Sequence, residues 1–95
     1  MNPYVTSPRI YNVTLTAADT EYSQAIPAGV SRIRVKPRQN AKIKLSFRPG
    51  HSDDEYVTVE AAPAPPYEVD CFTGQVTLYM QSTVAGTVAE IEAWS

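Results

Sequence analysis

The sequence predicts an all-β chain: one antiparallel β-sandwich of about eight strands, Ig-like or jelly-roll-like, behind an extended N-terminal arm. Three observations predict it. Apolar and polar residues alternate with a period of two in nearly every run, and no helical period appears anywhere. Val, Ile, Thr and Tyr are abundant, Leu is scarce, and eight prolines punctuate the chain. β-Branched and aromatic side chains suit a pleated surface, and frequent proline opposes long helices. Turn signals fall between the runs at roughly ten-residue spacing, the rhythm of a sandwich. Ninety-five residues suffice for one core but not two. Residues 9–95 are therefore expected to form a single domain, with residues 1–8 as the arm.

The elements follow in order. Residues 1–8 hold Pro3 and Pro8 and show no period, which reads as extended chain. Tyr11, Val13 and Leu15 alternate with Asn12, Thr14 and Thr16 as a half-buried strand, and Ala17-Ala18-Asp19-Thr20 turns the chain. A second strand carries Tyr22, Gln24 and Ile26 and stops at Pro27-Ala28-Gly29. Next, Ile33 and Val35 face one way while Arg32, Arg34 and Lys36 face the other. After Pro37-Arg38-Gln39-Asn40, Ile43, Leu45 and Phe47 alternate with Lys42, Lys44, Ser46 and Arg48. Two alternating runs with a short polar connection predict a hairpin. Residues 49–55 form a polar loop, residues 56–60 a strand, and the Pro63, Pro65 and Pro66 segment a stiff connector. Tyr67, Val69 and Cys71 alternate with Glu68, Asp70 and Phe72, and Thr73-Gly74 turns. Val76, Leu78 and Met80 then oppose Thr77, Tyr79 and Gln81. The last run sets Ala89, Ile91 and Ala93 against Val88, Glu90, Glu92 and Trp94.

Charge divides the chain in two. All eight bases (Arg9, Arg32, Arg34, Lys36, Arg38, Lys42, Lys44, Arg48) precede Pro49, against Asp19 and Glu21, giving +6. Residues 49–95 hold eight acids and no Lys or Arg, giving −8 and the overall −2. On the predicted hairpin, Arg32, Arg34, Lys36, Lys42, Lys44 and Arg48 share one face, where like charges repel across strands. Two arrangements offset that repulsion. Glu90 and Glu92, or Glu68 and Asp70, can ladder with the cations from a neighbouring strand. Alternatively, the basic face docks on an acidic partner surface, including the acidic half of a second copy. Nucleic acid is not expected, because the chain is net acidic and has no stacking platform beside the cations.

Other features imply little chemistry. Cys71 is the only cysteine, so the chain forms no internal disulfide and the thiol reads as structural. His51 beside Asp53, Asp54 and Glu55 reads as a solvated loop, since a metal needs several converging ligands. No nucleophile motif, phosphate loop or zinc spacing appears, so neither catalysis nor a cofactor or metal is expected. The first residues lack a signal peptide's basic and apolar regions, and no apolar run approaches a membrane span, so no membrane partner is expected. Asn12-Val13-Thr14 matches a glycosylation sequon but reads as part of a strand. Phe72, Tyr79, Val88 and Trp94 fall on the outward register. They serve either cross-strand packing or a contact patch for another subunit, which the arm with Tyr4 could extend.

With strands in place, the segments Tyr11-Asn12-Val13-Thr14-Leu15-Thr16, Asp19-Thr20-Glu21-Tyr22-Ser23-Gln24-Ala25-Ile26-Pro27 and Val88-Ala89-Glu90-Ile91-Glu92-Ala93-Trp94-Ser95 resemble small β-sandwich structural proteins of tailed bacteriophages. The resemblance runs through most of the chain but rests on strand signatures, not on chemical motifs. It implies an accessory virion protein made in the host cytoplasm, most simply a capsid decoration or cement subunit present in many copies. The implied partner is the major capsid protein or another virion protein. Arg32, Arg34, Lys36, Lys42, Lys44 and Arg48 would steer docking, and Tyr4, Phe72, Tyr79 and Trp94 would anchor it. A tail, neck or fibre module, including one that binds carbohydrate for host adhesion, is the alternative.

Overall fold

A computed structural model describes residues 9–39, 41–61, 64–70 and 75–94. Eight strands account for the regular structure: β1 (Arg9–Leu15), β2 (Tyr22–Ile26), β3 (Arg32–Pro37), β4 (Ile43–Ser46), β5 (Val57–Val59), β6 (Tyr67–Asp70), β7 (Val76–Gln81) and β8 (Thr87–Trp94). No helix among the described residues is long and apolar enough to cross a membrane. The strands form two four-stranded antiparallel sheets, ordered β1-β8-β3-β6 and β2-β7-β4-β5. Of the strands adjacent in sequence, only β4 and β5 pair; every other connection crosses between layers. That order is a jelly roll, so of the two sandwich types the alternation allowed, the chain adopts this one.

The inward register matches the alternation closely. Leu15, Ile26, Ile33, Val35, Ile43, Leu45, Val59, Leu78, Met80, Ala89 and Ile91 are buried between the layers. Tyr11, Val13, Tyr22, Tyr67, Val69 and Val76 pack around their margin. Each large aliphatic chain so buried contributes about 1.5–3 kcal/mol of transfer free energy. Phe47 departs from its expected inward place: β4 ends at Ser46, and the residue is 40% exposed in the loop beyond.

The predicted hairpin between residues 32–36 and 42–48 does not form. β3 and β4 lie in opposite sheets, and the chain crosses the sandwich between Pro37 and Ile43. Electrostatics favours this solution. Paired with β4, the β3 cations would meet lysines; instead β3 lies between β8 and β6, with Arg34 opposite Glu92 and Glu68 and Lys36 opposite Glu90. Gln39 secures the crossing, donating from Nε2 to the Gly86 carbonyl (3.1 Å) and accepting from the Val88 amide at Oε1 (2.8 Å). Gly86 has φ +81°, the left-handed conformation that favours glycine, and its amide bonds the Leu15 carbonyl (2.8 Å).

Candidate functional site

The two outer faces hold the charged and aromatic side chains that the sequence singles out. On the β1-β8-β3-β6 sheet, registered pairing builds rows of opposite charge. Arg34 reaches Glu68 at 2.8 Å and Glu92 at 3.6 Å; Lys36 reaches Glu90 at 3.6 Å, and Arg38 reaches it at 2.8 Å. The Arg38 guanidinium holds the Glu90 carboxyl below its ordinary pKa, helped by Lys36 and opposed by partial desolvation. Trp94 lies on the same face with the Arg32 and Arg34 guanidiniums 5.9 and 5.3 Å from its ring centre, a cation–π arrangement. The internal acid ladder, one of the two ways to offset the β3 cations, is thus formed by Arg34 and Lys36.

The single basic face expected from residues 32–48 is corrected by this geometry. Arg32, Arg34 and Lys36 occupy the outer face of one sheet, whereas Lys42 and Lys44 belong to the other layer. Arg48 sits in the loop after β4, paired with Glu55 at 3.0 Å. The expected aromatic patch divides likewise, because Tyr79 faces outward from β7 between Ser23 and Ser46 while Trp94 belongs to β8. Tyr4 with the arm, and Phe72 with Cys71, lie outside the described residues.

The β2-β7-β4-β5 sheet carries a strap over part of its outer face. Glu21 accepts hydrogen bonds from the Gly50 amide (2.8 Å), the Ser52 amide (3.1 Å) and the Ser52 hydroxyl (2.5 Å). Gln81 donates to Ser52 Oγ at 2.8 Å, so a polar chain runs from the β1–β2 turn through the strap to β7. Ser52 of the strap and Gln81, to which it is bonded, are both buried, as is Ser46 on β4. The Ser52 hydroxyl, followed by the Gly50 and Ser52 amides, holds the Glu21 carboxyl below its ordinary pKa despite the opposing desolvation. The loop at residues 49–55, expected to be merely solvated, is thus tied down through Ser52. His51 Nδ1 lies 2.9 Å from Asp54 Oδ1 on its exposed side. Among the described residues no group of three or more His, Cys, Asp or Glu is placed to hold a metal.

Beside the strap lies a groove of about 240 Å³, lined by Lys42, Lys44, Tyr56, Thr58, Glu60, Ser82 and Thr83. Lys44 Nζ sits 5.1 Å from the centre of the Tyr56 ring. Among the described residues, neither Lys42 nor Lys44 has a carboxylate within 4.0 Å, unlike Arg34, Lys36, Arg38 and Arg48. A second depression, of about 220 Å³, adjoins it between Leu45, Phe47, Glu55, Tyr56 and Val57. Sequence reasoning named both lysines but missed the groove, because it paired β4 with β3. The available signal was the matching parity of Lys42 and Lys44 with Thr58 on the next strand and with Tyr56 and Glu60, which flank it. Comparison with family models, curated proteins and solved structures gave no match for this chain.

Proposed function

We propose that this chain is a non-catalytic structural subunit of a tailed phage particle, a decoration or cement protein held on the assembled shell in many copies. The strand-by-strand resemblance to such proteins supports the particle, and the jelly roll suits it by analogy, since capsid proteins commonly use this fold. One structural observation carries the docking reading: the two sides of the sandwich have unlike edges. On one side, β1 offers seven residues whose only charge is Arg9, and β2 offers five with none. Ile10, on the β1 edge, is 56% exposed. On the other side, β6 carries Glu68 and Asp70 directly after Pro65-Pro66, and β5 is three residues long. Short, charged or proline-flanked edges resist strand addition, whereas long uncharged ones invite it. The β1 side is therefore the docking side, and the β3 cations Arg34 and Lys36, already matched to acids, are not needed for it.

The test is sedimentation of the purified protein with empty capsid shells, together with the temperature at which the shells disrupt. The protein co-sediments and raises that temperature, and Ile10→Lys with Thr14→Lys abolishes both effects while leaving the fold intact. Absence of co-sedimentation at every salt concentration would sink the proposal. A second reading, a tail, neck or fibre module that holds host glycans, is favoured by the groove beside β5.

A further inference from the structure

We infer that the groove between β4, β5 and the β7–β8 turn is a binding site for a singly charged acidic sugar residue, of the uronic or sialic acid class. The inference rests on the second reading above and names its ligand. Four observations meet in the groove. Its volume of about 240 Å³ suits one sugar ring rather than a folded partner, and it lies below the range of large ligand clefts. Lys42 and Lys44 bring two ammonium groups into it, and among the described residues no carboxylate lies within 4.0 Å of either. Arg9 and Arg32 also lack such a partner among the described residues, but Lys42 and Lys44 alone bring two unmatched charges into one groove, which an outside anion completes.

Tyr56 is the third element. The residue is 41% exposed, and its ring holds Lys44 Nζ at 5.1 Å. The cation–π contact orients the ammonium without neutralising it, which lowers the ordering cost when an anion arrives. The rest of the exposed ring offers an apolar surface to the C–H face of a sugar. Glu60 is the fourth element, and it decides between ligands. A carboxylate in the same groove repels a polyanion such as a nucleic acid backbone or a run of acidic side chains. Hydroxyl groups, however, donate to carboxylates. A ligand with one negative charge and several hydroxyls satisfies the two lysines and Glu60 together, and Thr58 and Thr83 add hydroxyls at the exposed rim.

The experiment titrates the full chain, by NMR chemical shifts at low ionic strength, with methyl glucuronide and sialyllactose, each carrying a single carboxylate. Controls are the neutral sugars lactose and cellotriose, a pentaglutamate peptide and inorganic phosphate. The acidic sugars shift resonances around Tyr56 and Thr58 with millimolar or tighter affinity, and the neutral sugars do not. Lys42→Gln with Lys44→Gln weakens the acidic sugars about tenfold or more, the scale of two lost charge-assisted contacts, with an unchanged thermal midpoint. Glu60→Gln reduces discrimination against pentaglutamate. The inference is overturned if neither acidic sugar binds, if lactose binds equally well, or if the double lysine variant binds unchanged. Tighter binding of pentaglutamate or phosphate than of the sugars also overturns it, reassigning the groove to a protein or phosphate anion. Because no shell takes part, these outcomes are separate from the shell-docking result: equal binding of lactose overturns the acidic-sugar inference but keeps the glycan reading, absence of any sugar binding removes both, and either leaves the decoration reading standing.

Discussion

The two outer faces of this sandwich carry similar cations in unlike company. On the β1-β8-β3-β6 sheet, Arg34 and Lys36 stand between acidic strands and meet Glu68, Glu90 and Glu92 within 4 Å. On the β2-β7-β4-β5 sheet, Lys44 stands between Gln81 and Thr58 and meets the Tyr56 ring. A basic residue on a strand therefore has no fixed meaning. Its neighbours across the ladder decide whether its charge serves the fold or remains available to a ligand. The first face is a structural seam, and on the second the Lys44 charge has no acid partner among the described residues.

The comparison presumes one core shared by both layers, and the largest effect comes from breaking that core. Ile91 is fully buried on β8, the strand flanked by β1 and β3. Ile91→Ala should destabilise by about 2–5 kcal/mol in denaturant unfolding, through lost burial and the cavity left behind. A loss below 1 kcal/mol would mean the layers are not packed together as described. Next in size is the difference between reversing a matched cation and an unmatched one. Arg34→Glu places a third carboxylate between Glu68 and Glu92 and should cost about 1–2 kcal/mol, reduced by salt. Lys44→Glu should change stability by about 0.5 kcal/mol or less. Equal costs would erase the distinction between the faces.

A smaller effect is expected at low pH. The folded-state carboxyls of Glu21 and Glu90 ionise below their ordinary value of 4.5. Their ionised forms are favoured by the fold, so this stability is fully present above pH 4.5 and is lost as pH falls through the depressed folded values. Thermal midpoints should therefore decline below about pH 4.5. Glu21→Gln should flatten part of that decline by removing one titrating group, and an identical acid limb would count against the strap. The smallest effect belongs to Lys42→Gln, which should leave the thermal midpoint within about 1 °C because no folded-state ion pair is lost.

Strand parity was legible from local sequence, because side-chain direction in a strand depends only on position along it. Ile33, Val35, Leu78, Met80, Ala89 and Ile91 all take the inward places their alternation predicts. Strand partnership was not legible, because it depends on residues far along the chain. Arg34 and Glu68 are thirty-four positions apart, and nothing in the alternation of β3 indicates that its partners are β8 and β6 rather than β4. The acid ladder could be posed only as one of two solutions. The strap was hidden for the same reason: Glu21 and Ser52 are thirty-one residues apart, and a polar loop gives no sign of the carboxylate that anchors it. The groove inherited the hairpin error, since its lysines had been given to the wrong neighbour.

The place of β8 has a consequence in time. β8, residues 87–94, fills the gap between β1 and β3, which do not touch each other in the sheet. On a ribosome, β1 has no sheet neighbour, and β3 has only β6, until nearly all the described residues have emerged. The half-made chain must therefore keep Tyr11, Val13, Ile33 and Val35 from premature association, and maturation should be a late, concerted step limited by distant strand pairing. A nascent chain halted before Thr87 should be readily cut by protease, whereas the addition of eight residues should render it resistant.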